Sequence, residues 1–244
     1  MTELSAPRWY RAALRAEERL LRVTLGPRLR ARDADVPLGG VTNRVRHPTL
    51  GHVAAERMLP GVDAPAGDLE SHMARYAWAF RACEGKSVVD VGCGVGYGTS
   101  LLAWVASSAT GVDRDAGAIA SASSTYQRPN LKYVLDDAAS ELPEADVATC
   151  FEVIEHVPDP AAVSRALLKA APRVLVSYPN PFAAGPHLNP HHIVDWPLRV
   201  MRKSFKEAGA GRMRGFHQTL WSPAVRRGTP PWAAIWILDI ERGD

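Results

Sequence analysis

The chain predicts an α/β fold in which a mostly parallel sheet carries helices on both faces. Three observations support this. From about residue 70, apolar runs of strand length alternate with helical stretches, as in βαβ units. Those runs lack an apolar–polar alternation, which suits strands covered on both sides. A glycine cluster stands where the first strand meets its helix. The 244 residues, 46% hydrophobic and 23% charged, suffice for one large domain or one domain with an extension.

The elements follow in order. Residues 7–25 predict a helix that opens on Pro7 and is rich in strong helix formers. Arg8, Arg11, Arg15, Arg19 and Arg22 fall on one stripe of it, while Tyr10, Leu14, Leu21 and Leu25 lie mainly on another face. Such a basic amphipathic helix suits a membrane surface, an RNA or a partner, and equally a solvated face on a helix that packs on its own domain. Residues 26–50, rich in Gly, Pro and Arg, predict a linker. Residues 69–82 predict a helix closed by Gly85. Strands are expected at 87–91, 109–113, 131–135, 146–151 and 173–178, with helices near 97–106, 115–126 and 160–170. A helix at 196–208, with Asp195 as its N-cap and Pro197 in its first turn, precedes strands at 212–220 and 233–241.

Charge and cysteine content narrow the class. Residues 1–46 hold ten basic and five acidic side chains, a balance of +5, whereas residues 47–244 total −2. The body is therefore not a basic nucleic-acid-binding surface. Arginine outnumbers lysine 24 to 5, which genome composition explains as readily as phosphate binding. Cys83, Cys93 and Cys150 form no CxxC pair and no disulfide framework. No apolar run reaches the length of a membrane span, and the first residues lack a signal-peptide core, so a cytoplasmic protein is expected.

The glycine cluster carries the chemistry. Asp90-Val91-Gly92-Cys93-Gly94-Val95-Gly96 lets backbone approach a ligand at the carboxyl end of a strand. Asp113 ends the second strand, 21 residues after Gly92, where it can hydrogen-bond a ribose diol. Asp136-Asp137-Ala138 follows the third strand, where an adenine edge would lie. The spacing is G-x-G-x-G rather than the dinucleotide G-x-G-x-x-G. Followed by Gly111-Val112-Asp113, by Asp137-Ala138 and by the Glu152–Pro160 run, this series resembles the class I S-adenosylmethionine-dependent methyltransferases.

The resemblance covers residues 50–241 and implies a Rossmann-like, seven-stranded sheet whose last strand lies antiparallel beside the fifth. It divides the chain into a basic helix and linker arm, residues 1–49, and a methyltransferase domain, residues 50–244. It implies S-adenosylmethionine as cofactor. A sulfonium cation favours acids around the loop and needs no phosphate cradle. By the same resemblance Asp90 and the loop of Gly92, Cys93, Gly94 and Gly96 hold the methionine portion, and Asp113 takes the ribose hydroxyls. Arg114 sits beside the adenine, Asp137 and the Ala138 backbone read its rim, and Phe151 and Glu152 line the methyl-donor side. Upstream, Glu56-Arg57-Met58-Leu59-Pro60-Gly61 and His72-x-x-Arg75-Tyr76 look like a bacterial subgroup, many of whose members serve glycan or natural-product pathways. Tyr76 there either lies against the cofactor or packs as a core aromatic.

Glu152, Glu155 and His156 form E-x-x-E-H beyond the fourth strand, and His187, His191 and His192 follow the fifth. Two carboxylates with one or two imidazoles make a divalent-metal site for Mg²⁺ or Mn²⁺ from Glu152, Glu155, His156 and His192. The cluster is similar to that of ubiquinone-biosynthesis O-methyltransferases. It is also similar to that of small-RNA 2′-O-methyltransferases, which bind Mg²⁺ through it. Two other readings stand beside the metal: a general base, His156 or one of His191 and His192, with Glu155 counted beside His156 and His192 as a candidate catalytic residue, or purely structural roles in which Glu155 makes hydrogen bonds. Asn189-Pro190-His191-His192 resembles the glycan subgroup's N-P-F-H, which favours His192 over His191 as the inward residue. Trp196, Trp221 and Trp232 suit either an acceptor pocket or packing.

Three functions follow from the resemblance. One is methyl transfer to a hydroxyl of a sugar, glycan or small metabolite. The second is metal-dependent RNA 2′-O-methylation, against which the −2 body argues. The third is cofactor binding without turnover. The residues specify neither the acceptor nor an oligomeric state.

Overall fold

The computed structural model describes residues 66–180, 196–220 and 222–243. The expected arginine helix, linker and domain boundary, together with His187, His191, His192, Asp195 and Trp221, lie outside the described residues. The elements are α1 (Ala66–Cys83), β1 (Ser87–Val91), α2 (Tyr97–Leu102), β2 (Ser108–Asp113), α3 (Ala116–Thr125), β3 (Leu131–Leu135) and β4 (Val147–Phe151). A 3-10 turn (Ile154–His156) then leads to α4 (Pro160–Ala170), β5 (Arg173–Pro179), α5 (Leu198–Glu207), β6 (Ala210–Thr219), β7 (Ser222–Arg227) and β8 (Ile235–Arg242).

The strands form one sheet in the order β3-β2-β1-β4-β5-β8-β6-β7. β1 to β5 are mutually parallel, and β8 is antiparallel beside β5 as expected. Among the described residues there are eight strands, not seven, and two of them, β7 and β8, oppose the rest. The additional strand is β7, a hairpin partner of β6 at the sheet edge. Its sequence, Ser222-Pro-Ala-Val-Arg-Arg227, is largely exposed, so it carries no apolar pattern to announce it.

Both faces of the central strands are buried. Val88, Val147 and Leu175 point to one core, with Tyr76, Phe80, Leu101 and Leu102 from α1 and α2. Val89, Ala148, Val174 and Val176 point to the other, with Val163, Leu167, Met201 and Phe205 from α4 and α5. That is why these strands read as continuous apolar runs. Asp115 and Asp159 cap α3 and α4, Asp115 accepting the Ala118 N–H and Asp159 those of Ala161 and Ala162. α5 starts later than expected: Pro197 holds its N-cap position and gives no side-chain cap.

A buried carboxylate locks the antiparallel side. Asp239 of β8 accepts two hydrogen bonds at 3.0 Å from Arg173 of β5 and one at 3.1 Å from Arg214 of β6. The strand order reverses between β1 and β4, which opens a crevice at their carboxyl ends. Because β8 is antiparallel, its first residues meet that same edge, beside the end of β6.

Candidate functional site

A cavity of about 540 Å³ occupies the crevice. The loop after β1 forms its floor. Gly92 has φ +73°, and a Cβ there would stand 2.2 Å from Cγ2 of Val153; only glycine fits between the loop and the β4 end. Gly98 allows another close approach, because a Cβ would lie 2.0 Å from the Tyr76 ring.

Asp113, at the end of β2, is tied to this loop. Its Oδ2 accepts the Gly94 N–H at 2.8 Å and its Oδ1 the Asp115 N–H at 2.9 Å. Arg114, Asp136, Asp137 and Ala138 continue the lining from the ends of β2 and β3. Asp137 also organises its own turn, accepting the Ala139 N–H at 2.9 Å.

Asp90 lies behind the loop, not on the cavity wall. It is 1% exposed and accepts hydroxyl hydrogen bonds from Thr149 at 2.6 Å, Thr99 at 2.7 Å and Tyr76 at 3.4 Å. Burial pushes its carboxyl up to about 6, against the pull of those hydrogen bonds. Its position is that of a post supporting the loop. Gly96 likewise is not among the lining residues; Tyr133 covers it, donating to its carbonyl at 2.9 Å. Tyr76, Cys93, Phe151 and Glu152 do line the cavity, so Tyr76 both packs and faces the ligand space. Its ring stands edge-on to Tyr97 and Phe151.

The E-x-x-E-H side chains share the far wall but diverge. Glu152 holds a left-handed backbone, φ +56°, which is uncommon outside glycine. Its Oε1 accepts the Ser177 hydroxyl at 2.7 Å and faces Arg75 at 3.9 Å. Glu155 is buried, with Oε1 at 3.9 Å from His156 Nε2 and Oε2 without a hydrogen-bond partner. Burial first, and then the Glu152 charge, hold the Glu155 carboxyl well above the usual range. Among the described residues no three His, Cys, Asp or Glu side chains are arranged to hold a metal ion. Of the expected set Glu152, Glu155, His156 and His192, His192 lies outside the described residues, and Glu152 is engaged by Ser177 and Arg75.

Several lining residues escaped sequence reasoning. Arg75, 1% exposed, donates from Nη1 to Gln218 Oε1 at 2.6 Å, while its Nε has no partner. Gln218 in turn donates to the carbonyls of Ser71 and Pro223. Thr219, Leu220, Ala234 and Ile235 complete the wall. Arg75 stood within a quoted motif but without a role. Gln218 and Thr219 carry no local signal, since Gln218 meets Arg75 across 143 residues. Trp196 packs against the core and Trp232 stands edge-on to His217; neither lines the cavity.

Comparison with known proteins adds the following. The model of a family described as "Methyltransferase domain" matches residues 68–223. A probable S-adenosylmethionine-dependent methyltransferase of Mycolicibacterium smegmatis is 34% identical over 171 residues, covering 66% of this chain and 66% of that protein. A ubiquinone biosynthesis O-methyltransferase of Hydrogenovibrio crunogenus is 38% identical over 97 residues, 37% of this chain and 40% of that protein. The chain thus spans less than two thirds of the length of these curated relatives. The structure of magnesium protoporphyrin IX methyltransferase from Synechocystis, with SAH bound, aligns with a TM-score of 0.54 at 19% identity, covering 72% of this chain and 84% of its own. That likeness concerns the fold alone.

Proposed function

The chain belongs to the methyltransferase-domain family, and from that premise we propose that it transfers a methyl group from S-adenosylmethionine to a hydroxyl of a small polyhydroxylated acceptor. One observation carries the reading: the glycine loop and Asp113 are locked together, through Gly94, at the switch-point cavity. The cofactor's chemical groups match the residues there. Asp113 suits the ribose diol, the Asp137–Ala138 turn the adenine rim, and the buried Arg75, with Nε unsatisfied, the methionine carboxylate. When bound, S-adenosylmethionine supplies a methyl already activated on a positively charged sulfur.

The protein's part is then positioning and proton removal. Glu152, fixed by Ser177, keeps Arg75 in place from the other side. His156, on the cavity wall, is the base that takes the acceptor proton, and Glu155 orients it across 3.9 Å. The name of the ubiquinone relatives supports a hydroxyl acceptor. A sugar or glycan is the finer expectation, drawn from the upstream motifs. An RNA acceptor is the weaker reading, since residues 47–244 sum to −2 and the cavity is lined by carboxyls.

The test is transfer of labelled methyl from the cofactor to hydroxylated acceptors by the full chain, with His156→Gln alongside. Oxygen methylation that falls at least about 100-fold in the variant is expected. Transfer confined to nitrogen or carbon acceptors sinks the hydroxyl assignment.

A further inference from the structure

The half of the cavity away from Asp113 is walled by the 3-10 turn, the end of β6 and the start of β8. Two polar side chains in this wall are more than nine-tenths buried and lack a hydrogen-bond partner at one oxygen: Thr219 at Oγ1 and Glu155 at Oε2. A buried polar atom left so is costly unless water or a ligand satisfies it, and these two belong to residues that line the cavity. The neighbouring Gln218 has no such spare capacity on its amide nitrogen, which already donates to two carbonyls. Leu220 and Ile235 flank the same wall with apolar surface, Leu220 being 72% exposed. Arg75, the guanidinium on this side, already donates to Gln218 and faces Glu152, and Glu155 adds a second carboxyl, so an anion is poorly received there.

We infer that Thr219 and Glu155 select the acceptor, each hydrogen-bonding a different hydroxyl of one neutral, polyhydroxylated ring whose apolar face lies on Leu220 and Ile235. The inference rests on the hydroxyl-transfer reading above and adds what that reading lacks, the means of choosing a substrate. Thr219 touches no reacting atom; it is a specificity residue. A hydroxyl on the ring but remote from the methylated one supplies its partner. Leu220 and Ile235 give the ring a flat apolar support, as sugar-binding surfaces need. A carboxylate or phosphate on the ring would face the acidic lining and lose affinity.

The experiment uses the full chain saturated with S-adenosylhomocysteine, whose affinity is measured first by calorimetry. Saturation-transfer NMR titrations then compare a panel of methyl glycopyranosides, the matching methyl uronides and cyclohexanol. Neutral glycosides are expected to bind, with the uronides and cyclohexanol each weaker by about tenfold or more. Thr219→Val should weaken glycoside binding by about tenfold and leave S-adenosylhomocysteine affinity unchanged, while Thr219→Ser restores it. Glu155→Ala should act in the same direction. Equal binding of glycosides by wild type and Thr219→Val overturns the inference, as does a panel in which no neutral glycoside binds. Absence of S-adenosylhomocysteine binding would instead strike the cofactor reading itself.

Discussion

Replacing Asp113 by alanine tests the proposal that its carboxylate both shapes the glycine loop and reads a ribose diol. In the folded chain Oδ2 accepts the Gly94 N–H at 2.8 Å and Oδ1 the Asp115 N–H at 2.9 Å, so the group already shapes the glycine loop. Each carboxylate oxygen retains lone-pair capacity for a ribose hydroxyl. Hydrogen bonds to a charged acceptor contribute about 1.5–3 kcal/mol each. Two from a diol make about 3 kcal/mol a conservative loss, a rise in Kd of more than about 100-fold. Calorimetry with S-adenosylhomocysteine measures that loss. It cannot by itself tell a missing ribose contact from a slackened loop. A cycle with a 2′,3′-dideoxy analogue does so. Wild type should prefer the diol by about 100-fold, and Asp113→Ala should scarcely distinguish the two ligands. If the variant keeps the wild-type preference, some other group reads the ribose and the assignment is wrong.

Three further outcomes are expected. Asp90, raised from 3.8 to about 6 when folded, binds more protons in the folded than in the unfolded state between those values, so it lowers stability as pH rises through that window. Its penalty grows by about 2 kcal/mol from about pH 4.5 to about pH 7. Urea unfolding across that range should therefore show a flatter pH profile for Asp90→Asn; parallel profiles would disprove the raised carboxyl. Gly92→Ala puts a Cβ 2.2 Å from Val153 Cγ2 at φ +73°, and should cost at least about 2 kcal/mol and most cofactor affinity. Adding Val153→Ala should return part of the loss, and strict additivity in thermal melts would refute the clash. Tyr178 buries a hydroxyl with no partner, so Tyr178→Phe should stabilise the fold by about 1 kcal/mol, with Tm raised by about 2–4 °C; a lower Tm would reveal a hidden partner.

What could be read in the chain follows from where each signal lives. β1 and β3 have the bounds the residues suggested, because their apolar runs end at Val91 and Leu135 against turn-forming residues. The loop, Asp113 and the Asp137–Ala138 turn were legible because short stretches of sequence encode them. β7 was not, since an exposed edge strand with Pro223, Arg226 and Arg227 needs no apolar period. Nor were the two sides of E-x-x-E-H. Glu152 has a left-handed backbone and stands outside the 3-10 turn that carries Glu155 and His156. Glu152 meets Ser177 and Arg75, whereas Glu155 lies 3.9 Å from His156. The carboxylates therefore have different partners, which no residue type in the motif encodes.

The same reasoning explains why the acceptor half of the cavity was the harder half to read. Its cofactor half is assembled by consecutive β–α junctions, each a short segment whose glycines and acids are visible in line. The acceptor half is assembled by strands that arrive last and antiparallel, so Thr219 and Ile235 reach the crevice only because β8 inserts beside β5 and β6 beside β8. Arg75 joins the halves: it bonds Gln218 of β6 and faces Glu152 after β4. A change at Gln218 should therefore disturb both, loosening Arg75 toward the cofactor and the β6 end toward the acceptor. Gln218→Ala is expected to weaken S-adenosylhomocysteine binding in calorimetry, and an unchanged affinity would refute the coupling.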